Sequence, residues 1–504
     1  MSPILTSKQM SWADRHSIKE SGVSGKALMT QAGCCLARAI VPRLDDTVKS
    51  RLLIVAGPGN NGGDGFAATR WLMKRKMNIQ IILLGKLADL KGDAAAHAAE
   101  ASQKDIEIIE CPDIATLADW QDSFVNTSII IDAIFGTGLK RPLTGIMAKA
   151  VHIINASAVP VLSVDIASGI DSDSGRILGT AVKARWTLPI AACKWGHWLN
   201  EGREYAGDIL DPARIGISDE LITRSLQELA GPADRAQLID RKMIFESFPG
   251  RPRRSHKKDY GHAWIFGGSQ GYTGAPRLAA GGAFAVGSGL VSIACPDDVY
   301  SVVAASSLEA MIHPQQSAPW HSADSLLAGP GWGMKEQSLL AQLLQSDIPL
   351  VLDADGLNML ANDPDLIDKL VGRGSLGVLT PHPGEAARLL GVSAGEVESD
   401  RLASALGLAD KFGCWIVLKG AETLVVSPQR HVWVCPFGTP RLATAGTGDV
   451  LSGMITGLLG QKQAPEKALP TAVALHALAG EQNGWYLAGD LPTMVRKVLL
   501  ELGV

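Results

Sequence analysis

The sequence predicts an α/β protein of two domains, each built around parallel strands, and three observations carry that expectation. Short uninterrupted apolar runs recur along the chain and alternate with segments of helical length and period. Most of these runs end in Gly, Asn, Asp or Ser, the residues of polar turns at strand ends. The alternation lapses once, between residues 220 and 254, where 226–234, then Pro249 and Pro252 with a short basic cluster, read as a connector. The expected domains are therefore 1–225 and 241–504, with a linker at 226–240.

Composition narrows the function classes. A chain of 504 residues allows about two to four domains, and 46% hydrophobic with 19% charged residues describes a globular protein with ample core rather than a disordered one. The formal net charge is -4 and the basic residues are scattered, so no nucleic-acid or membrane partner is expected. Seven cysteines without metal-type spacing read as reduced thiols of a cytoplasmic protein. Residues 1–9 are polar and lead into Trp12, Asp14 and Arg15, which is no export signal. The longest uncharged run, 278–296, is broken by Gly281, Gly282, Gly287 and Gly289, and reads as a helix leading into a buried strand.

Along the chain, helices are expected at 7–21 and 25–40, the second with Met29, Ala32, Leu36 and Ile40 on one face. A buried strand, 51–56, then empties into Gly57-Pro58-Gly59-Asn60-Asn61-Gly62-Gly63-Asp64-Gly65, read as a loop before a helix at 66–76. Further strands read at 79–84, 128–134 and 159–164. Parallel strands place ligands at their carboxyl ends, and those ends carry a coherent set. Asn60, Asn61 and Asp64 follow the first strand, Asp132 with Gly136-Thr137-Gly138-Leu139 another, and Asp165 with Ala167-Ser168-Gly169 a third. Amide, hydroxyl and carboxylate oxygens suit a hard, weakly bound cation such as potassium rather than zinc. Turn capping by the same residues is the competing reading.

The second half repeats the pattern. A strand at 262–266 leads through Gly267-Gly268-Ser269-Gln270-Gly271 to a small-residue helix from Ala275, and later strands end in Gly329-Pro330-Gly331, Asp353-Ala354-Asp355, Thr380-Pro381-His382-Pro383-Gly384-Glu385 and Lys419-Gly420-Ala421-Glu422-Thr423. Most informative is Gly446-Thr447-Gly448-Asp449, which opens an apolar helical run. Its glycines let backbone amides approach an anion at the positive end of the helix dipole, and Asp449 stands where an acceptor hydroxyl would lose its proton. A glycine turn with a capping Asp is the alternative. Several neighbours also carry two readings. His382 reads as a ligand contact or a structural hydrogen-bonding residue, Lys419 as a site residue or one snorkelling to solvent, and Asp353 and Asp355 as magnesium ligands or helix caps. Trp264 and Trp332 read as packing.

GPGNNGGDGF (57–66), IDAIFGTG (131–138) and VDIASGIDSDSG (164–175) resemble the signature segments of the NAD(P)H-hydrate epimerase domain. The resemblance covers about the first 220 residues. It implies a Rossmann-like domain that interconverts the epimers of hydrated NADH or NADPH near a potassium ion. Position by position, Asn61, Asp132 and Ser168 would hold potassium. Asn60, Asn61, Gly62, Gly63 and Asp64, then Gly136, Thr137, Gly138, Leu139, Lys140, Arg141 and Pro142, and also Asp165, would contact the nucleotide. Asp165 is the candidate acid/base group, by direct proton transfer or by ring opening. Ala167 departs from the family, which commonly has Pro there.

VLDADGLNML (351–360), TPHPGEAARLLG (380–391), KGAET (419–423) and ATAGTGDVLSG (443–453) resemble the ADP- or ATP-dependent NAD(P)H-hydrate dehydratase domain of the ribokinase-like superfamily, across about 241–504. The order of the two domains is similar to that of bacterial bifunctional repair enzymes. The resemblance implies that Lys419, Gly420, Ala421, Glu422, Thr423 and Gly448 contact ADP, taken with Mg2+. Gly446 and Thr447 complete the phosphate loop. Ala275, Gly333, His382 and Asp449 would contact the hydrate, with Asp449 as the base. A homo-oligomer is implied by the family alone. Thr439 and Ala445 stand where many members have Asn and Gly. An ordinary vitamin or sugar kinase shares the Gly-Thr-Gly-Asp loop, and a non-catalytic first domain is the other rival; the TPHPGE and KGAET segments and the fused first domain argue against the kinase.

Overall fold

Buried apolar runs become the strands of parallel sheets in two separate units, Pro3–Gly231 and Pro232–Val504. The computed structural model describes residues 2–44, 50–75, 77–104, 106–233, 235–248 and 250–504. Among the described residues, no helix is long and apolar enough to cross a membrane.

In the first unit the sheet runs, edge to edge, Glu107–Glu110, Asn78–Leu83, Arg51–Ala56, Ile129–Ala133, Val161–Val164, Trp186–Leu188 and Asp208–Ile209, with every neighbouring pair parallel. The chain enters this sheet at its third strand, Arg51–Ala56, moves outward to the near edge, and returns to the other side of that strand. The gap between Arg51–Ala56 and Ile129–Ala133 is therefore the switch point, where an open α/β sheet leaves a crevice at its carboxyl end. Arg51–Ala56 reads as a continuous apolar run because both its faces are covered. Leu52 and Ile54 enter one core cluster, Leu53 and Val55 the other. Burying each such side chain contributes about 1.5–3 kcal/mol.

The glycine-rich stretch after that strand is not a loop. The helix runs Asn60–Leu72, so Asn60 to Asp64 form its first turn, while residue 76, the expected end, lies outside the described residues. Glycine serves close packing here: a Cβ on Gly62 would collide with the Gly57 carbonyl. Helix start and strand end are thereby pressed together, and the free amides of the first turn face the crevice end of the sheet.

In the second unit the order is Met311–Pro314, Leu290–Cys295, His262–Phe266, Ser325–Ala328, Leu350–Leu352, Gly377–Leu379, Trp415–Leu418, Leu424–Val426, His431–Val434 and Arg235–Leu238. Pairing is parallel as far as Trp415–Leu418, antiparallel through the hairpin Leu424–Val426 and His431–Val434, and parallel again at Arg235–Leu238. The connector expected at 226–240 is thus corrected. Helix Asp219–Glu228 reaches into it, Arg235–Leu238 is a strand, and residue 234 lies outside the described residues. The sequence RAQL has no apolar run to announce it; its ladder partner supplies the order.

Helix Thr447–Gly460 is buried along nearly its whole length and packs on Ala275–Ala285 through small residues. A Cβ on Gly453 would enter the Ala279 carbonyl, and one on Gly282 the Val450 carbonyl. Backbones in contact fix the start of Thr447–Gly460 over the sheet. Gly453→Ala is expected to destabilise the second unit by about 2–3 kcal/mol, read as a lower denaturant midpoint for that unit's unfolding; an unchanged midpoint would contradict the packing described.

Candidate functional site

The second unit gathers its chemistry around one lysine. Lys419, just beyond Trp415–Leu418, sends its ammonium to Asp353 Oδ1 at 2.6 Å, and Glu385 Oε2 lies 3.8 Å away. A Cβ on Gly448 would stand 3.4 Å from the same ammonium, which places Lys419 beside the start of helix Thr447–Gly460. Lys419 therefore does not snorkel to solvent. Burial alone would pull its pKa down, and Asp353 and Glu385 outweigh that, leaving it above the usual value.

Asp449 is the third residue of that helix. Burial, then the negative charge of Asp353, raise its pKa to about 7 against the opposing pull of Lys419. A carboxyl with that value can accept a proton near neutral pH and give it back. Gly446 caps the helix at φ 93°, where a side chain would be strained, and a Cβ there would also strike Leu278. Thr447 donates its hydroxyl to the Leu442 and Thr444 carbonyls and its amide to the Thr444 carbonyl at 3.4 Å, so it holds the turn while the Gly446 and Gly448 amides face outward from it. Buried His476 lies 2.9 Å from the Thr447 carbonyl and pins this turn from below.

The structural reading of His382 is realised. Its Nδ1 accepts the Gly384 amide at 3.0 Å as the cap of helix Pro383–Leu390, while half of its side chain remains exposed. In return Glu385 Oε2 accepts the His382 amide at 2.7 Å, a capping box whose carboxylate also faces Lys419. Asp353 and Asp355 are not ordinary caps of the next helix. The cap of Asp355–Ala361 is Ala354, at φ 46°, while Asp353 holds Lys419 and Asp355 accepts the Gly333 amide at 2.8 Å. Gly331, two residues before Gly333, approaches Ala275, where a Cβ on it would lie 3.2 Å away, and Gly333 itself lies beside Ser269. In the strand-end loop, Arg401 donates to the Lys419 carbonyl at 3.1 Å and Thr423 to the Gly420 carbonyl at 2.9 Å, with Glu422 at φ 47°. Ala421 lies inside that loop. Trp264 and Trp332 are fully buried packing residues.

In the first unit the three strand ends form two linked clusters. Buried Asp132 accepts Ser168 Oγ at 2.6 Å, the Ser168 amide at 2.9 Å and Ser163 Oγ at 2.7 Å. All these donors are neutral, and burial raises the carboxyl's pKa. Asn61 is buried, its Nδ2 meets no partner, and its Oδ1 and Asp165 Oδ2 both border Gly136. A buried Asp132 carboxyl without a cationic partner, the Ser168 hydroxyl and the Asn61 amide oxygen make an all-oxygen donor set that fits a hard monovalent cation.

Asp165 carries φ 70° and forms an ion pair with buried Lys194, whose side chain is 1% exposed. Burial would raise the Asp165 carboxyl, but the ammonium overrides it and holds it below the usual range. The Thr137 amide donates to its Oδ2 at 3.1 Å, tying the loop of Gly136, Gly138 and Lys140 to the site. Asp64 is driven the other way, well above its ordinary value, by burial and then by the Asp165 charge. Not every expected contact faces the crevice. The Leu139 side chain is buried in the core, Lys140 bonds Ser7 Oγ at 3.0 Å, and Arg141 and Pro142 are exposed. Lys194 and His197 were missed by sequence reasoning. The only signal was a lone Lys and His in Cys193-Lys194-Trp195-Gly196-His197, at the end of a short apolar run.

Residues 25–196 match the family model described as the YjeF-related protein N-terminus, and residues 263–497 that of NAD(P)H-hydrate dehydratase. The chain is 33% identical over 489 residues to the bifunctional NAD(P)H-hydrate repair enzyme Nnr of Coxiella burnetii, covering 96% of this chain and 95% of that one. It is also 33% identical over 438 residues to that of Escherichia coli K12, covering 85% and 80%. Among solved structures it is similar to the ADP/ATP-dependent NAD(P)H-hydrate dehydratase of Bacillus subtilis, at 29% identity and a TM-score of 0.46, over 53% of this chain and 98% of that one. With both domain models matched in order and near full-length relatives above 30% identity, the chain belongs to the bifunctional NAD(P)H-hydrate repair enzymes.

Proposed function

We propose that the second unit dehydrates the hydrated nicotinamide ring at the expense of ADP, with Asp449 as the base, and that the first unit epimerises the hydrate with Asp165 as its ionised acid/base group. The observation that carries this reading is the cluster of Asp449, Lys419, Asp353 and Glu385 at the amide-rich start of helix Thr447–Gly460. Asp449 takes the proton of the ring hydroxyl as its oxygen attacks the terminal phosphorus of ADP, and AMP departs. The ring nitrogen's lone pair then expels phosphate, and loss of a proton from the neighbouring carbon restores the dihydropyridine. Amides of Gly446 and Gly448 offset the charge that builds on the phosphoryl oxygens, and Thr447 holds the turn that presents them. Lys419 to Thr423 form the nucleotide side, and Ala275, Gly333 and His382 the hydrate side.

ADP would be taken with Mg2+, which would neutralise phosphate charge when bound, and the Lys419 ammonium beside Gly448 adds a positive charge on the phosphate side. In the first unit, Asn61, Asp132 and Ser168 would hold K+, which would supply the positive charge that Asp132 lacks. There Asp165, held low by Lys194, removes the hydroxyl proton, while Asp64, pushed well above its ordinary value by burial and the Asp165 charge, is placed to return one. Asn60 to Asp64, Gly136 to Gly138 and Asp165 surround the nucleotide. A cytoplasmic setting is supported by seven free cysteines, and a homo-oligomer by family likeness.

Purified protein with ADP and NADPH hydrate is expected to release one inorganic phosphate for each reduced nicotinamide recovered; a stable phosphorylated product would reassign the unit to a small-molecule kinase. Dehydratase kcat/KM should rise with pH through a midpoint of about 7, since Asp449 must be ionised to act. A rate flat from pH 5.5 to 8.5 would exclude it as the base. Exchanging K+ for a bulky organic cation at constant ionic strength should slow epimerisation on the order of tenfold. In Asp132→Asn that exchange should make no difference, as measured by chromatography of the two epimers.

A further inference from the structure

Every polar group of Asp165 is held, and nearly all the holding groups come from residues 188–197. Its amide donates to the Leu188 carbonyl at 2.8 Å, and its carbonyl faces His197 Nε2 at 2.7 Å. Its carboxylate takes Lys194 and the Ile190 amide at 3.2 Å on one oxygen, and the Thr137 amide on the other. The backbone they restrain sits at φ 70°, a region that a non-glycine residue occupies at a cost of order 1 kcal/mol or more unless its surroundings insist.

Lys194 and His197 are themselves fixed. Lys194 lies in the short strand Cys193–Lys194, paired in register with Leu5 of strand Ser2–Leu5, and its ammonium also donates to the Ile190 carbonyl at 2.7 Å. His197 Nδ1 accepts the Lys194 amide at 2.9 Å, so the proton resides on Nε2, which donates to the Asp165 carbonyl. Burial lowers the ring's pKa to about 4, so it acts as a neutral donor and adds no charge.

We propose that Lys194 and His197 are a positioning pair for epimerisation, Lys194 aiming the Asp165 carboxylate and His197 clamping its carbonyl in the left-handed conformation that presents it to the hydrate. This rests on the reading of Asp165 as the acid/base group. Neither residue touches substrate; each acts through Asp165. The titratable groups facing Asp165 are Lys194, His197, Asp64 and Cys193, with Asp14 behind Asp64, and Lys194 is the one cation among them. Removing that charge leaves a buried carboxyl beside acidic neighbours, so its proton is held to higher pH.

The test follows conversion of one purified NADPH-hydrate epimer into the other in the full-length protein, by chromatography, at saturating K+ without ADP, from pH 5.5 to 8.5. Wild type is expected to show no acidic limb in that range. Lys194→Met should lose kcat on the order of 100-fold at pH 7, keep KM within about threefold, and gain an acidic limb near neutral pH. Lys194→Arg should recover part of kcat and remove the limb. His197→Leu should lower kcat without creating a limb, and it carries the test by itself should Lys194→Met fail to fold. Lys194→Met with wild-type kcat or no limb, or His197→Leu with wild-type kcat, would overturn the inference while leaving Asp165 in place. An Asp165→Asn protein that still epimerises at the wild-type rate would overturn the underlying reading and this inference with it.

Discussion

A lysine ammonium locked to a strand-end aspartate is the interaction on which both sites depend. Lys194 with Asp165 in the first unit, and Lys419 with Asp353 in the second, each bring a cation from another strand to a buried carboxylate. Each pair is then surplus in negative charge, because a further carboxyl stands within electrostatic reach: Asp64 in one case, Glu385 and Asp449 in the other. In the first unit the Asp165 carboxyl is held down while that of Asp64 is pushed up, and in the second Glu385 and Asp449 are both pushed up.

The sheets make such pairs affordable in only one place. Parallel strands covered on both faces leave their carboxyl ends as the one polar rim of each core, and the helices that begin there contribute free amides. Close packing brings those helix starts near enough to matter. Gly62 lies against the Gly57 carbonyl, and Gly453 against that of Ala279, so that Asn60–Leu72 and Thr447–Gly460 begin directly over the sheet ends. In the second unit the result is an amide-rich turn, a lysine and three carboxyl groups in one small volume. In the first it is a carboxylate network around Asp132 and Asp165, with the buried Asn61 amide left unpartnered.

Much of this was legible in the sequence because it is written in local pattern. Strands covered on both faces, such as Arg51–Ala56 and Ile129–Ala133, announce themselves as apolar runs, and the polar residues just beyond them mark the crevice. What was misread depends on distant partners. The glycines of 57–65 look like loop residues until the Gly57 carbonyl presses on Gly62. Strand Arg235–Leu238 has no apolar signature and exists through its pairing with His431–Val434. Lys194 meets an aspartate 29 positions away, a separation with no local period to betray it. The run Thr380 to Glu385 was legible as a polar strand end, but its capping box and the second task of Glu385, facing Lys419, were not.

The account's central claim is that two carboxyl groups in two units divide the repair between them. The most direct test gives the full-length protein a mixture of both NADPH-hydrate epimers with ADP, Mg2+ and K+, and follows the recovery of reduced-nicotinamide absorbance. Wild type should restore the whole mixture, Asp165→Asn should rapidly restore only the epimer that is dehydrated directly, and Asp449→Asn should restore neither. Rapid full recovery by Asp165→Asn, or any wild-type-like recovery by Asp449→Asn, would contradict the division of labour.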